Sequence, residues 1–158
     1  MAANVERCVM DGIPPLVMMM LAYGQDEVER NLRLIISHTF LRIEGAKMST
    51  AQVETIAHCI CQSPAVRTLN YDLVCNFFTR VIDGTYNVYS ATPYRVMMAF
   101  QEYAKAAFRT QERLRMEHET RLRRQQDAIL KQNTITYEEF CRRTGRDPHA
   151  PLFTNFTN

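Results

Sequence analysis

His58, Cys59 and Cys61 fall in one short run, HCIC, with His38 and Cys75 elsewhere in the chain. Imidazoles and thiolates are the ligands zinc prefers. The surrounding apolar spacing is helical, however, and on a helix Cys59 and Cys61 point about 200° apart. They cannot converge on one ion, and no CxxC pair occurs. A cysteine nucleophile would need a nearby base and an oxyanion hole. None of Cys8, Cys59, Cys61, Cys75 and Cys141 carries a local signature of that kind. Cys59, Cys61 and Cys75 lie in or beside apolar helical stripes, where inert buried thiols are common. GxSxG, GxGxxG and GxxxxGK[ST] are all missing, and the carboxylates sit mainly at helix starts or in ion-pair positions. The expectation is a chain that is not an enzyme, with no metal and no cofactor.

The arginines are the second chemical feature. Arg109, Arg113, Arg115, Arg121, Arg123 and Arg124 crowd one segment, and arginine pairs well with phosphate. Glu112, Glu117, Glu119 and Asp127 interleave with them. Glu117–Arg121 and Glu119–Arg123 have favourable four-residue spacing, and Arg113–Glu117 and Arg123–Asp127 the reverse order. The pattern describes a solvated helix face, and no aromatic platforms for single strands accompany it. Along the same segment Ala107, Gln111, Leu114, His118, Leu122, Gln125 and Ile129 alternate apolar with polar. Only every second seam position is apolar, too few for a self-standing coiled-coil dimer. Such a narrow stripe suits docking on a larger neighbour. Met18–Met20 with Met97 and Met98 offer either an adaptable groove or core filler.

Composition narrows the class. Of 158 residues, 5 are Gly and 6 are Pro, which argues against a turn-rich β-sandwich. The 46% apolar fraction is that of a globular chain. The charge of +2 is unevenly placed: residues 1–80 carry 7 basic and 8 acidic groups, residues 81–158 carry 12 and 9. The longest apolar stretch, Ile13–Tyr23, has eleven residues and contains two prolines; about twenty are needed to span a bilayer. The N-terminus lacks the layout of a secretory signal, and five cysteines suggest no disulfide framework. These features predict an intracellular protein, cytoplasmic or nuclear and not secreted, without a membrane span.

The elements that must carry these residues read as helices. A short one is expected over Val5–Asp11, then one from Pro14-Pro15 to Tyr23, apolar all round and so buried on most sides. A third runs over about Asp26–Ile43, stopped by Gly45, with Val28, Leu32, Ile35, Ile36, Phe40 and Ile43 as its stripe. Ser49 and Gln52 form a capping box for Thr50–Gln62, with Met48 and Val53 as a staple. Asn70 caps Tyr71–Ile82, and Tyr86–Tyr89 reads as briefly extended. From Thr92-Pro93 no Gly or Pro intervenes until Gly145, so one helix of about 40 residues and about 60 Å is expected to Asn133. Thr136 and Glu139 box a short helix through Arg143, and the tail GRDPHAPLFTNFTN follows.

The helix-loop-helix spacing resembles an EF-hand. In FLRIEGAKMSTAQVETIAHCI, Phe40 precedes the loop, Met48 holds its apolar eighth position and Gln52 its twelfth. Val88 and Thr92 hold the eighth and twelfth positions in a second pair, and Ile135 and Glu139 in NTITYEEFC those of another. The resemblance implies one calmodulin-like lobe over about 30–105, a regulator that grips a target helix. The first loop positions would be Leu41, Val81 and Ala128, and the third Ile43, Asp83 and Leu130. Asp83 alone among these is a carboxylate, so the expected lobe binds no calcium.

The sequence thus predicts an all-α fold with a helical core over 1–108. Residues 109–133 form a projecting continuation of the long helix, and 134–158 a short capped helix and docking tail. The expected function is a non-enzymatic structural or adaptor subunit of a larger protein assembly. Arg113, Leu114, Arg121, Leu122, Arg124 and Ile129 would meet a partner, and Phe153 and Phe156 would anchor the tail. Nucleic-acid association through the arginines is the alternative, with the degenerate calmodulin-like regulator as another; self-association is also open to such a helix.

Overall fold

The computed structural model describes residues 6, 12–45, 47–86, 88, 92–145, 147 and 149. Among them the protein is all-α, with no strand. In chain order the helices are α1 (Leu16–Tyr23), α2 (Gln25–Leu41), α3 (Thr50–Gln62), α4 (Tyr71–Ile82), α5 (Pro93–Asn133) and α6 (Tyr137–Thr144). A 3-10 turn over Pro64–Arg67 joins α3 to α4. The chain divides into two units, Met1–Arg115 and Met116–Asn158, and α5 contributes to both.

The first unit is organised around α2, which packs on α1, α3 and α4. Its buried residues, Val28, Leu32, Ile36 and Phe40, recur at three- and four-residue intervals, the spacing that gathers one helix face. From α3 come Val53, Ile56, Ala57 and Ile60, and from α4 Leu73, Val74, Phe77, Phe78 and Val81. The first turns of α5 close the core with Val96, Phe100, Tyr103, Ala104 and Ala107. Phe77 is the hub: its ring lies 4.9 Å from Phe78, 5.3 Å from Phe100, and 5.5 Å from both Tyr86 and Tyr103. Two of these pairs, with Phe78 and Phe100, meet edge to face, the geometry that suits aromatic quadrupoles.

Polar contacts set the helix ends. Ser49 Oγ accepts from Gln52 N at 3.3 Å, and Ser49 N donates back to Gln52 Oε1 at 2.9 Å. Both halves of the predicted capping box are therefore present. Asn70, itself buried, caps α4 by accepting from Leu73 N at 2.9 Å. Leu16 N donates to Leu69 O at 2.8 Å, tying the start of α1 to the end of the 3-10 connection. Gly24 alone separates α1 from α2, at φ 89°, where an L-residue would be strained.

Four details depart from the sequence reading. Helix α2 ends at Leu41, two residues early, because Arg42 takes the C-cap and the chain turns through Gly45 at φ 80°. Helix α1 is buried on one side only: Leu16 is inaccessible, while Met18, Leu21 and Tyr23 are exposed. An all-apolar surface does not itself surround a helix with neighbours, and among the described residues α1 packs mainly against α2 and the 3-10 turn. The buried face of α5 ends at Ala107, with Phe108 exposed, yet the helix still touches the first unit beyond it, for Gln111 Nε2 donates to Thr68 O at 2.9 Å. At α6, Thr136 Oγ1 accepts from Glu139 N at 3.2 Å, but Glu139 turns to Arg143 at 2.7 Å instead of completing the box. An arginine one turn on offers a charged partner that the cap N–H cannot match. The expected Val5–Asp11 helix lies outside the described residues except for Glu6, and Tyr86–Tyr89 is described only at Tyr86 and Val88.

In the second unit, Cys141 of α6 is buried and Gly145, at φ 70°, closes the helix by donating to Cys141 O. No helix among the described residues is long and apolar enough to cross a membrane.

Phe77→Ala should remove the hub and cost about 3–5 kcal/mol of unfolding free energy, whereas Leu34→Ala, at an exposed site of α2, should cost well under about 1 kcal/mol. Chemical denaturation of the two variants checks this.

Candidate functional site

The histidine and cysteines of HCIC are held by α3 and do not form one site. Cys61 faces the core and is buried, whereas Cys59 is half-buried and His58 exposed. His58 Nδ1 lies 3.0 Å from Glu29 Oε1 across the α2–α3 contact, and the same oxygen accepts from Gln25 Nε2 at 2.7 Å. Burial opposes ionisation of Glu29, but the bonds from Gln25 and His58, with the charges of His58 and Arg33, outweigh it and hold this carboxyl below its ordinary value. The arrangement is a clamp between two helices, with the acid kept ionised.

The same surroundings silence the thiol. Burial, reinforced by the Glu29 charge, pushes Cys61 up to about 11. It therefore stands as a neutral thiol near pH 7, the opposite of an activated nucleophile. Tyr71 and Tyr86 are also pushed up, each chiefly by burial. Among the described residues no group of three or more His, Cys, Asp and Glu gathers closely enough to hold a metal. The positions compared with EF-hand loops are filled as follows: Leu41 ends α2, Val81 is buried in α4, Asp83 caps α4, and Ala128 and Leu130 lie inside α5.

The predicted docking residues divide between the two units. In the first, Arg113 pairs with Glu6 at 2.5 Å and Leu114 is half-buried. In the second, Arg121, Leu122, Arg124 and Ile129 all lie on an exposed stretch of α5. Every residue from Arg115 to Gln132 is exposed. Within that stretch Met116 (66%), Leu122 (44%), Ile129 (56%) and Leu130 (63%) present large apolar side chains to solvent. At about 100° per residue, Leu122 and Ile129 lie within about 20° of one line, with Gln125 and Gln126 between them. Arg121 and Arg123 flank that line at about 100° on either side, whereas Arg124 lies about 200° round from Leu122 and faces away from it. Arg123 is thus the flanking residue that the sequence reading did not select, and only the helical angle distinguishes it from Arg124. The spaced pairs Glu119–Arg123 and Arg123–Asp127 do not close into ion pairs among the described residues. Exposed pairs gain little against the entropy of two long side chains.

Phe153 and Phe156 lie outside the described residues. Among the described residues Met19, Met20 and Met97 pack against the core, and Met18 and Met98 are exposed. Met98 lines a shallow depression with Tyr86, Tyr94 and Lys105, in which none of Met18–Met20 takes part. No family model matches the chain, and no curated protein or solved structure matches it.

Two measurements follow from the clamp and the thiol. An acid held below its ordinary value contributes stability above the unfolded pKa, 4.5, and loses that contribution as pH falls through the folded value. Glu29→Gln should therefore be less stable than the parent near pH 7, with the gap closing on acidification below about pH 4.5; denaturation at stepped pH reads this. Iodoacetamide at neutral pH should label exposed Cys75 well before buried Cys61 and Cys141, as followed by peptide mass spectrometry.

Proposed function

We propose that this protein is a non-enzymatic adaptor subunit of a larger protein assembly, docked through the second-unit segment of α5. The observation that carries the reading is the run from Arg115 to Gln132, helical throughout and without a buried residue. Most helical stability in proteins comes from packing one face of the helix rather than from propensity, and this run buries none of its residues. A partner covering Leu122 and Ile129 supplies the missing face. Residues 116–132 carry four cations (Arg121, Arg123, Arg124, Lys131) and three anions (Glu117, Glu119, Asp127). That near balance suits a polar rim around an apolar strip better than it suits phosphate. The inert thiol and the clamped carboxylate are consistent with a scaffold role for the first unit.

Leu122→Asp combined with Ile129→Asp should leave the first unit folded, because both side chains are exposed. Proteins that co-purify with the parent chain from its native source should be lost from the variant, in a manner insensitive to nuclease treatment. Unchanged co-purification would remove this strip as the docking face. Loss of the co-purified material on nuclease treatment alone would favour nucleic acid instead.

A further inference from the structure

The C-terminal half of α2 forms an exposed ridge in the first unit. Leu34 and Leu41, seven residues apart, share one face with His38 between them, and the leucines are 66% and 84% exposed. A depression lies on each side of this ridge. One is walled by Cys75, Phe78, Thr79 and Ile82 of α4. The other is walled by Met48, Thr50 and Val53 at the start of α3, with Phe40 beneath. Ser37 and Leu41 line both, so the two depressions and the ridge make one continuous, mainly apolar surface. Two large leucines one heptad apart, with a hollow on either side, are knobs and holes for a second helix.

The charges lining this surface are of one sign. Arg42 lines the first depression, where His38 adds a polar ring, and Lys47 the second, and no aspartate or glutamate lines either. The nearest carboxylates in sequence are otherwise placed: Glu44 is exposed in the turn after α2, Glu54 faces Arg33 at 3.7 Å, and Asp83 caps α4. The helix dipoles oppose one another here, because α2 presents its C-terminal end and α3 its N-terminal end. The side-chain cations therefore decide the sign.

We propose that this surface receives an amphipathic helix of a partner protein whose apolar face is flanked by glutamate or aspartate. The apolar face would bury Leu34 and Leu41, and the acidic flanks would meet Arg42 and Lys47. This second docking surface is separate from the α5 strip and does not rest on it. A basic helix would bring like charges together on both sides of the ridge, which costs specificity and affinity.

The probe is a synthetic peptide of about 18 residues, long enough to form helix when one face is packed, with leucines on one face and glutamates flanking them. Its control carries lysine at every glutamate position. Fluorescence anisotropy should show the acidic peptide binding the full chain at least about tenfold more tightly than the basic one, and weakening as salt rises. Leu34→Ala with Leu41→Ala should lower that affinity by at least about tenfold while circular dichroism stays unchanged, as each leucine is exposed. Arg42→Glu with Lys47→Glu should invert the preference toward the lysine peptide. The Leu122→Asp/Ile129→Asp variant should bind the acidic peptide like the parent, which separates this surface from the strip on α5. Absence of binding, equal binding of both peptides, or indifference to the leucine substitutions would overturn the proposal. So would a concentration-dependent dimer of the parent that the leucine substitutions dissolve, since the occupant would then be a second copy.

Discussion

The seating of α5 on α4 through Phe77 is the contact on which the rest of the first unit depends. A benzyl side chain with no solvent access meets four other aromatic rings. It can do so only if α4, the connection carrying Tyr86 and the opening turns of α5 hold fixed positions. Tyr103 strengthens the join with a polar tip: its hydroxyl donates to Asn76 Oδ1 at 3.1 Å, and the Arg80 guanidinium lies 5.5 Å over its ring. Once the opening turns of α5 are fixed, Gln111 reaches the Thr68 carbonyl and Arg113 reaches Glu6. With the first-unit part of the helix so anchored, the continuous run of good helix formers carries α5 on to Asn133.

The helices themselves were legible because their signals are local. Ser49 and Gln52 form a capping box whichever fold surrounds them, and Asn70 and Thr136 likewise cap through oxygens that reach the N–H three residues on. Where the reading strayed, a longer-range effect decided the outcome. Helix α1 is apolar all round in sequence, but only the packing of neighbours determines how many sides are covered. The Glu139 side chain had two suitors within one turn, and the charged one prevailed.

The candidate sites were legible to differing degrees. That Cys59 and Cys61 face different ways follows from helical geometry alone, and the structure shows one half-buried and the other buried. The clamp between Glu29 and His58 was not legible, since it joins residues 29 positions apart and requires knowing that α2 and α3 lie side by side. The same holds for the ridge of Leu34 and Leu41. Leu34 falls outside the core stripe of α2 and Leu41 at its last residue, and only the placement of α3 and α4 on either side turns them into a surface. On α5 the leucine and isoleucine were readable from their seven-residue spacing. The choice between Arg123 and Arg124 required turning the helix through its true angle.

On the function proposed above, α5 has one segment that the first unit's own core stabilises and another that a partner's surface would cover. Residue-resolved hydrogen exchange on the isolated chain tests it most directly. Amides from about Val96 to Gln111, on the segment whose inner face is buried, should exchange slowly, at rates set by unfolding of the core. Those from about Glu117 to Gln132, where no side chain is buried, should exchange orders of magnitude faster. Uniformly slow exchange along the whole helix would contradict the account, because the exposed segment would then need no partner to hold it.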